Sequence, residues 1–132
     1  MMEHRVQARR PDGHGSLPIA GAEVLLDTDL SGRRDAMNPG ELLLAALAAC
    51  MLKGIGRVAP MLHFRIDGAE VRLEAMRRDA PPKLTRIRYA ILLDSPATDR
   101  RLDLLRRNVL KRGTIANTPA AVVPLEGTLR RA

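Results

Sequence analysis

The chain has 132 residues, a net charge of +7, a hydrophobic fraction of 45% and a single cysteine. This length predicts one domain, residues 1–132, with its own hydrophobic core. One cysteine excludes an intramolecular disulfide, and basic residues that are scattered without aromatic neighbours argue against a nucleic-acid partner.

The first predicted elements are two short strands. Residues 3–10 form a polar segment typical of an edge strand, and residues 11–13, with the sequence Pro-Asp-Gly, indicate a turn. Residues 22–27 predict the second strand, and the polar residues 28–37 predict a loop.

A helix start follows this loop. Asn38 is a good N-cap, Pro39 suits the first helical position, and the Glu41 carboxylate can reach back to the Asn38 N–H in a capping box. The pattern predicts a helix that ends near residue 57 or 58, because Pro60 acts as a stop.

This helix carries the cysteine in an unbroken apolar run. Residues 42–52 are all apolar, and Cys50 lies near the end of the run. A helix that is apolar on every side must be surrounded by protein. A sheet covers one side, and we expect the same helix of a second copy to cover the other. The sequence therefore predicts a homodimer with Cys50 near its interface.

The cellular location is predicted from the apolar segments. The apolar run is shorter than the ~20 residues that span a bilayer. The N-terminal residues lack the apolar core of a signal peptide. We therefore expect a cytoplasmic protein with no membrane partner.

The second half of the chain predicts a hairpin, a second helix and a final strand. Period-2 alternation predicts strands at residues 71–76 and 86–93. Ser95 as N-cap and Gly113 after the last turn bound an amphipathic helix, and residues 121–129 form the last strand. The order β-β-α-β-β-α-β predicts an α+β fold in which a buried central helix packs on a mostly antiparallel sheet.

The segment from Asn38 to Cys50, NPGELLLAALAAC, resembles the central helix of the OsmC/Ohr family of osmotically induced and organic-hydroperoxide-resistance proteins. In that family an Asn-Pro-x-x-Leu start precedes an Ala-Ala-Cys that carries the reactive thiol. The resemblance covers nearly the whole chain, up to Gly-Thr-Ile-Ala-Asn-Thr at residues 113–118. It implies an OsmC-like fold, an intertwined homodimer with active sites at the subunit interface, and a thiol that attacks organic hydroperoxides.

Several positions depart from the family pattern. Gly113 stands where the resemblance implies a second cysteine, which resolves the oxidised thiol. Gly40 stands where it implies a glutamate that orients a catalytic arginine; Glu41 comes one residue later and is better explained as the helix cap. The resemblance places that arginine at Arg9 or Arg10, with Arg10 as the candidate group that polarises the peroxide.

Cys50 has two interpretations. A reactive thiolate requires a nearby cation, and the candidates are Lys53 and an arginine of the pairs 9–10 and 33–34. Cys50 is then the nucleophile of a one-cysteine peroxidase that depends on an external thiol reductant. The alternative is a family member that binds a small apolar ligand in the interface pocket, with Cys50 structural or used in other thiol chemistry.

Other candidate sites are weaker. We expect no cofactor and no metal site, because the histidines His4, His14 and His63 lack metal-ligand spacing. The resemblance implies that Asn117 and Thr118 line the pocket. The alternative is that they anchor the local backbone.

Overall fold

The computed structural model describes residues 7–9, 15–19, 23–120 and 123–132. Contacts divide the chain into two compact units, with the boundary between Leu43 and Leu44, inside the first helix. The predicted turn at residues 11–13 lies outside the described residues, as do parts of the first, second and last predicted strands.

The first unit contains a small antiparallel sheet in the order β1 (Gln7–Arg9), β2 (Gly15–Ile19) and β3 (Leu26–Asp27). The sequence did not predict β2, because glycine and proline in Gly-Ser-Leu-Pro-Ile lower its strand propensity. Pairing with strands on both sides forms it nevertheless. The predicted second strand is reduced to the two residues of β3.

The first helix, α1 (Pro39–Met61), begins where the sequence predicts. The Glu41 N–H donates to Asn38 Oδ1 at 2.8 Å, and the Asn38 N–H donates to Glu41 Oε1 at 3.2 Å. These two bonds are the reciprocal contacts of a capping box, which satisfy two of the N–H groups that a helix start leaves free.

The predicted end of α1 near residue 57 or 58 is wrong. Pro60 lies inside the last turn, where its ring removes a single N–H donor. The chain leaves the helix through His63, which adopts a left-handed φ of 56°. The His63 N–H bonds to the Pro60 carbonyl and the Phe64 N–H to the Ala59 carbonyl, at 3.2 and 2.8 Å. This Schellman motif, and not the proline, ends the helix.

Helix α1 is longer than its apolar run. Within the described residues it is the one helix that is long and apolar enough to cross a membrane by length and composition alone. That observation is weak evidence for a membrane span, because the core helices of globular proteins pass the same test. Leu47, Met51 and Val58 of α1 are each about 1% exposed and belong to the hydrophobic core of the second unit.

The second unit is built on a mixed sheet in the order β4 (Gly68–Asp79), β5 (Pro82–Asp94) and β6 (Leu125–Arg131). The first pair is antiparallel and the second is parallel. A parallel neighbour requires a crossover connection, which the two helices α2 (Asp99–Arg112) and α3 (Thr114–Ala120) provide. Among the described residues this sheet has one antiparallel and one parallel pair, so it is mixed and not mostly antiparallel as predicted; the parallel pairing of β6 was not foreseen.

The start of α2 corrects a predicted cap. Thr98, and not Ser95, is the N-cap, and its hydroxyl accepts a bond from the Arg101 N–H. Ser95 is 4% exposed and donates its hydroxyl to the Arg65 carbonyl at 2.7 Å. The buried serine therefore ties the loop before α2 to the loop after α1. Helix α3 was not predicted, because only seven residues form it.

The core lies on one face of the mixed sheet. The β5 residues Ile87, Ile91 and Leu93 are fully buried there, together with side chains of α1 and α2. By contrast, Leu43 and Leu52 of α1 are 40% and 42% exposed. One chain therefore covers only one side of α1, and the prediction of a fully enclosed helix is not met within a single copy.

Candidate active site around Cys50

Cys50 lies in the fourth turn of α1, at the border between its buried and exposed sides. Cys50 as a residue is partly exposed, whereas the neighbouring Met51 and Gly54 are buried. Ala49 and Lys53 on the other side are exposed. Cys50 is therefore accessible to solvent while its helix is fixed by the core.

Close packing of α2 on α1 brings the end of α2 to the thiol. A Cβ atom added at Gly54 would lie 3.0 Å from Val109 Cγ1, so the absence of a side chain at Gly54 lets the two helices approach each other closely. Val109 belongs to the last turn of α2, and the chain reaches Gly113 directly after that turn.

Gly113 packs directly against Cys50. A Cβ atom at Gly113 would lie 3.3 Å from Cys50 Sγ, 3.2 Å from the Ala116 Cβ and 3.3 Å from the Val109 carbonyl oxygen. The structure thus brings together the two positions that the family resemblance pairs as cysteines. In this chain the second position offers backbone and no sulfur.

Gly113 is the C-cap of α2, as the sequence predicts, but it is not in the left-handed conformation that favours glycine. Its φ of −82° and ψ of 113° describe extended backbone, which any residue adopts. Its N–H still closes α2 by a bond to the Leu110 carbonyl at 3.4 Å. The small size of Gly113 therefore relates to the space beside Cys50 and Ala116, not to backbone conformation.

Two cations share the helix with Cys50. Lys53 follows it by three residues and Arg57 by seven, so both extend along the same exposed side of α1. In the part of the chain that the structure describes, neither side chain forms an ion pair. Lys53 lies one turn after Cys50 on the same side of the helix. It is therefore the candidate cation beside the thiol.

The arginine candidates belong to the first unit. Arg10 lies outside the described residues, and Arg9 is the last residue of β1. The Arg33 guanidinium binds Asp35 through two bonds of 2.8 and 2.7 Å, and this contact lowers the pKa of the Asp35 carboxyl. Arg34 is exposed.

Glu41, Asn117 and Thr118 have local structural partners. Glu41 is held in the capping box described above. The Asn117 side-chain amide donates to the Lys111 carbonyl at 3.1 Å, and the Thr118 hydroxyl donates to the Thr114 carbonyl at 2.8 Å. These bonds favour the anchoring role for Asn117 and Thr118, since each satisfies a carbonyl of α2 or α3.

A cavity of about 630 Å³ opens elsewhere in the second unit. Residues 72–74, 88–90 and 126–128 line it, so it lies on the strands of the mixed sheet and Cys50 does not border it. Over the described ranges, no group of three His, Cys, Asp or Glu side chains is arranged to hold a metal ion.

Comparison with known proteins identifies the family. A family model described as OsmC-like protein matches residues 32–126, which include Cys50 and Gly113. A search of curated proteins finds no significant match.

Solved structures with similar folds cover the whole chain. An OsmC-like protein from Mycoplasma pneumoniae has a TM-score of 0.90 at 19% identity, over 99% of this chain and 98% of that one. An organic hydroperoxide resistance protein OsmC from Legionella pneumophila, also described as a predicted redox protein, has a TM-score of 0.73 at 16% identity, over 100% and 98%.

A third structure extends the same fold to a further named relative. The organic hydroperoxide resistance protein OhrB of Bacillus subtilis has a TM-score of 0.66 at 15% identity, over 99% and 98% of the two chains. At these identities the likeness establishes the α+β fold and not the activity. Together with the family model, it confirms the resemblance seen in the sequence: the chain belongs to the OsmC-like protein family.

Proposed function

We propose that this chain is a one-cysteine, thiol-dependent peroxidase that reduces organic hydroperoxides through Cys50. The placement of Cys50 carries the proposal. The residue is partly exposed on α1, and its Sγ lies 3.3 Å from the point where a Cβ atom of residue 113 would stand. The names of the Legionella and Bacillus relatives, which refer to organic hydroperoxide resistance, support the substrate class.

The reaction proceeds in three balanced steps. The Cys50 thiolate attacks the outer oxygen of the hydroperoxide, the O–O bond breaks, and the alcohol leaves after taking up a proton. A first external thiol condenses with the resulting sulfenic acid, giving a mixed disulfide and water. A second external thiol attacks the external sulfur of that disulfide, so that the two external thiols leave joined as a disulfide and Cys50 is released as the thiol. External thiols replace the second cysteine because position 113 is glycine.

Apolar groups near Cys50 on the helix surface favour an organic substrate. Leu43 is 40% exposed and Ala46 is exposed, and they lie two turns and one turn before Cys50 on the same side of α1. Such a surface gains free energy by burying the hydrocarbon part of a hydroperoxide. Lys53, three residues after Cys50, adds a positive charge on the same side of α1.

A homodimer is part of this proposal. The exposed side of α1 carries Ala46, Ala49 and Gly56, and small residues allow a second helix to approach closely. Pairing the same helix of two copies would bury the exposed leucines and enclose Cys50. Light scattering at micromolar concentration is expected to give twice the monomer mass. If wild type has the mass of a single chain, the dimer proposal is overturned. The variant Ala49→Arg is expected to have the mass of a single chain, because it places a charge on the paired side of α1.

Peroxide turnover tests the enzymatic proposal. The protein is mixed with cumene hydroperoxide and a sulfenic-acid trap, and consumption of the hydroperoxide is followed with an added dithiol. Stoichiometric trapping at Cys50 and catalytic consumption are expected, and Cys50→Ser abolishes both. Cys50 oxidation no faster than that of a free model thiol would overturn the proposal.

The alternative is a family member that binds a small apolar ligand and has lost the peroxidase cycle. The observation that favours it is Gly113, since no other cysteine resolves an oxidised Cys50. Under this alternative an apolar fluorescent probe binds wild type and Cys50→Ser equally well, and neither variant consumes hydroperoxide. The same pair of proteins thus separates the two functions.

A further inference from the structure

The hairpin of β4 and β5 projects beyond the third strand of its sheet. Strand β6 pairs with β5 only from Ile87 to Leu93, whereas β4 and β5 stay paired as far as Asp79 and Pro82. Residues 76–86 therefore form a two-stranded projection, which we call the basic ribbon. Most of its side chains are exposed.

The basic ribbon carries two cations without acidic partners. Four basic residues and one acidic residue lie in the ribbon. Arg77 pairs with Asp79, and Arg86 pairs with Glu126 at 3.0 Å. Within the described ranges Arg78 and Lys83 pair with no acidic group.

Arg78 and Lys83 also stand directly opposite each other across the two strands. Like charges in this arrangement destabilise a sheet. Folding alone therefore does not explain the pair, whereas an external anion would offset the repulsion by binding both side chains.

Apolar groups surround these cations. Met76, at the base of the ribbon, is 59% exposed, and Ala80, Pro81 and Pro82 at its tip are exposed as well. Cations beside exposed apolar side chains match a membrane surface, where the apolar groups enter the headgroup boundary and the cations contact lipid phosphates. A nucleic acid fits less well, because the ribbon has no aromatic side chain for stacking on bases.

We propose that the basic ribbon docks this protein on an anionic lipid surface. The docking revises the sequence-based expectation of no membrane partner, and it concerns surface attachment, not insertion of α1. It does not depend on the chemistry of Cys50. It would place the protein next to a source of apolar molecules.

Co-sedimentation with vesicles tests the proposal. Binding is measured with vesicles of phosphatidylcholine alone and with vesicles that also contain phosphatidylglycerol, at low and at physiological salt. Binding to the anionic vesicles alone is expected, weaker at higher salt. The double variant Arg78→Glu/Lys83→Glu is expected to weaken it at least about tenfold, and Met76→Ser to weaken it with all charges kept.

A charge-matched variant provides the control. Arg65→Glu/Arg100→Glu changes the net charge equally at exposed positions outside the ribbon and is expected to retain binding. Equal losses in the two double variants would overturn the proposal, since overall charge would then explain attachment. The proposal would also be overturned if folded wild type did not bind anionic vesicles, or if it bound duplex DNA instead of the vesicles. Circular dichroism verifies the fold of each variant, and Cys50→Ser binds vesicles like wild type even if the peroxidase proposal fails.

Discussion

The sulfur of Cys50 lies 3.3 Å from the point where a Cβ atom of residue 113 would stand. A cysteine introduced there has its own sulfur within bonding reach of Cys50 after small shifts of its neighbours. We predict that Gly113→Cys forms a disulfide with Cys50 on mild oxidation. Thiol titration and mass spectrometry under non-reducing conditions measure the bond.

Two variants serve as controls for this disulfide. Gly113→Ser has nearly the same size and keeps one free thiol, while Gly113→Cys combined with Cys50→Ser also keeps one. A folded Gly113→Cys protein that retains two titratable thiols after oxidation would contradict the geometry. If the disulfide forms, turnover with a small dithiol is expected to become possible without over-oxidation of Cys50.

Strand β6 depends on the absence of a side chain at Gly127. A Cβ atom there would lie only 2.0 Å from the Tyr89 carbonyl oxygen and 2.6 Å from its Cγ, on the paired strand β5. We predict that Gly127→Ala destabilises the protein by about 3 kcal/mol or more, because backbone must move to relieve the overlap. Denaturant unfolding measures the loss.

The control for Gly127 is another glycine of the same sheet. A Cβ atom at Gly68 meets only Asp94 Cβ at 3.8 Å, an ordinary contact. Gly68→Ala is therefore expected to change the free energy of unfolding by less than about 1 kcal/mol. Equal effects at the two glycines would show that steric overlap at Tyr89 is not the cause.

The capping box separates a structural role of Glu41 from a catalytic one. Asn38→Ala removes the acceptor for the Glu41 N–H and is expected to cost about 1 kcal/mol of stability. Glu41→Gln keeps an oxygen acceptor for the Asn38 N–H and is expected to keep most of the stability and all of the peroxide consumption rate. A large loss of rate in folded Glu41→Gln would instead assign the carboxylate a part in the chemistry.

The acid sensitivity of α2 follows from Asp103. Bonds from Arg106, and the charges of Arg106 and Arg107, lower the pKa of Asp103 below its ordinary value of 3.8. Because the folded-state pKa is depressed, the contribution of Asp103 to stability is complete above its ordinary pKa and is lost as pH falls through the lower folded value.

The measurement compares melting temperatures of wild type and Asp103→Asn. Wild type is expected to be slightly the more stable at pH ~7, with the difference shrinking toward pH ~3. The effect is small because the carboxylate is exposed and solvent screens it, and added salt reduces it further. A difference that grows on acidification would contradict the assignment.

Local signals in the sequence predicted the parts of the fold that depend on neighbouring residues. The start of α1 was predicted correctly because Asn38 and Glu41 contact each other within a single turn. The end of α1 was not predicted correctly, because it depends on the left-handed backbone of His63, a conformation that is uncommon for any residue other than glycine. The N-cap of α2 was misplaced by three residues because Ser95 and Thr98 are both good caps, and only burial distinguishes them.

Long-range relationships were less accessible. The parallel pairing of β6 joins segments separated by α2 and α3, and nothing in Leu125–Arg131 specifies its direction. The proximity of Gly113 to Cys50 was inferred from family resemblance and not from spacing. Its physical basis is Gly54, which allows the close approach of α1 and α2. A glycine inside a helix is a sequence signal for such an approach, but the sequence analysis made no use of it.

The parallel strand has a consequence for synthesis of the protein. Strand β5 holds the most deeply buried residues of the sheet, and its second neighbour, β6, is made only after α2 and α3. While the ribosome is still translating those helices, one backbone edge of β5 therefore remains open to pairing with another nascent chain. We therefore expect the yield of folded protein to depend on whether a chaperone binds the nascent chain during that interval.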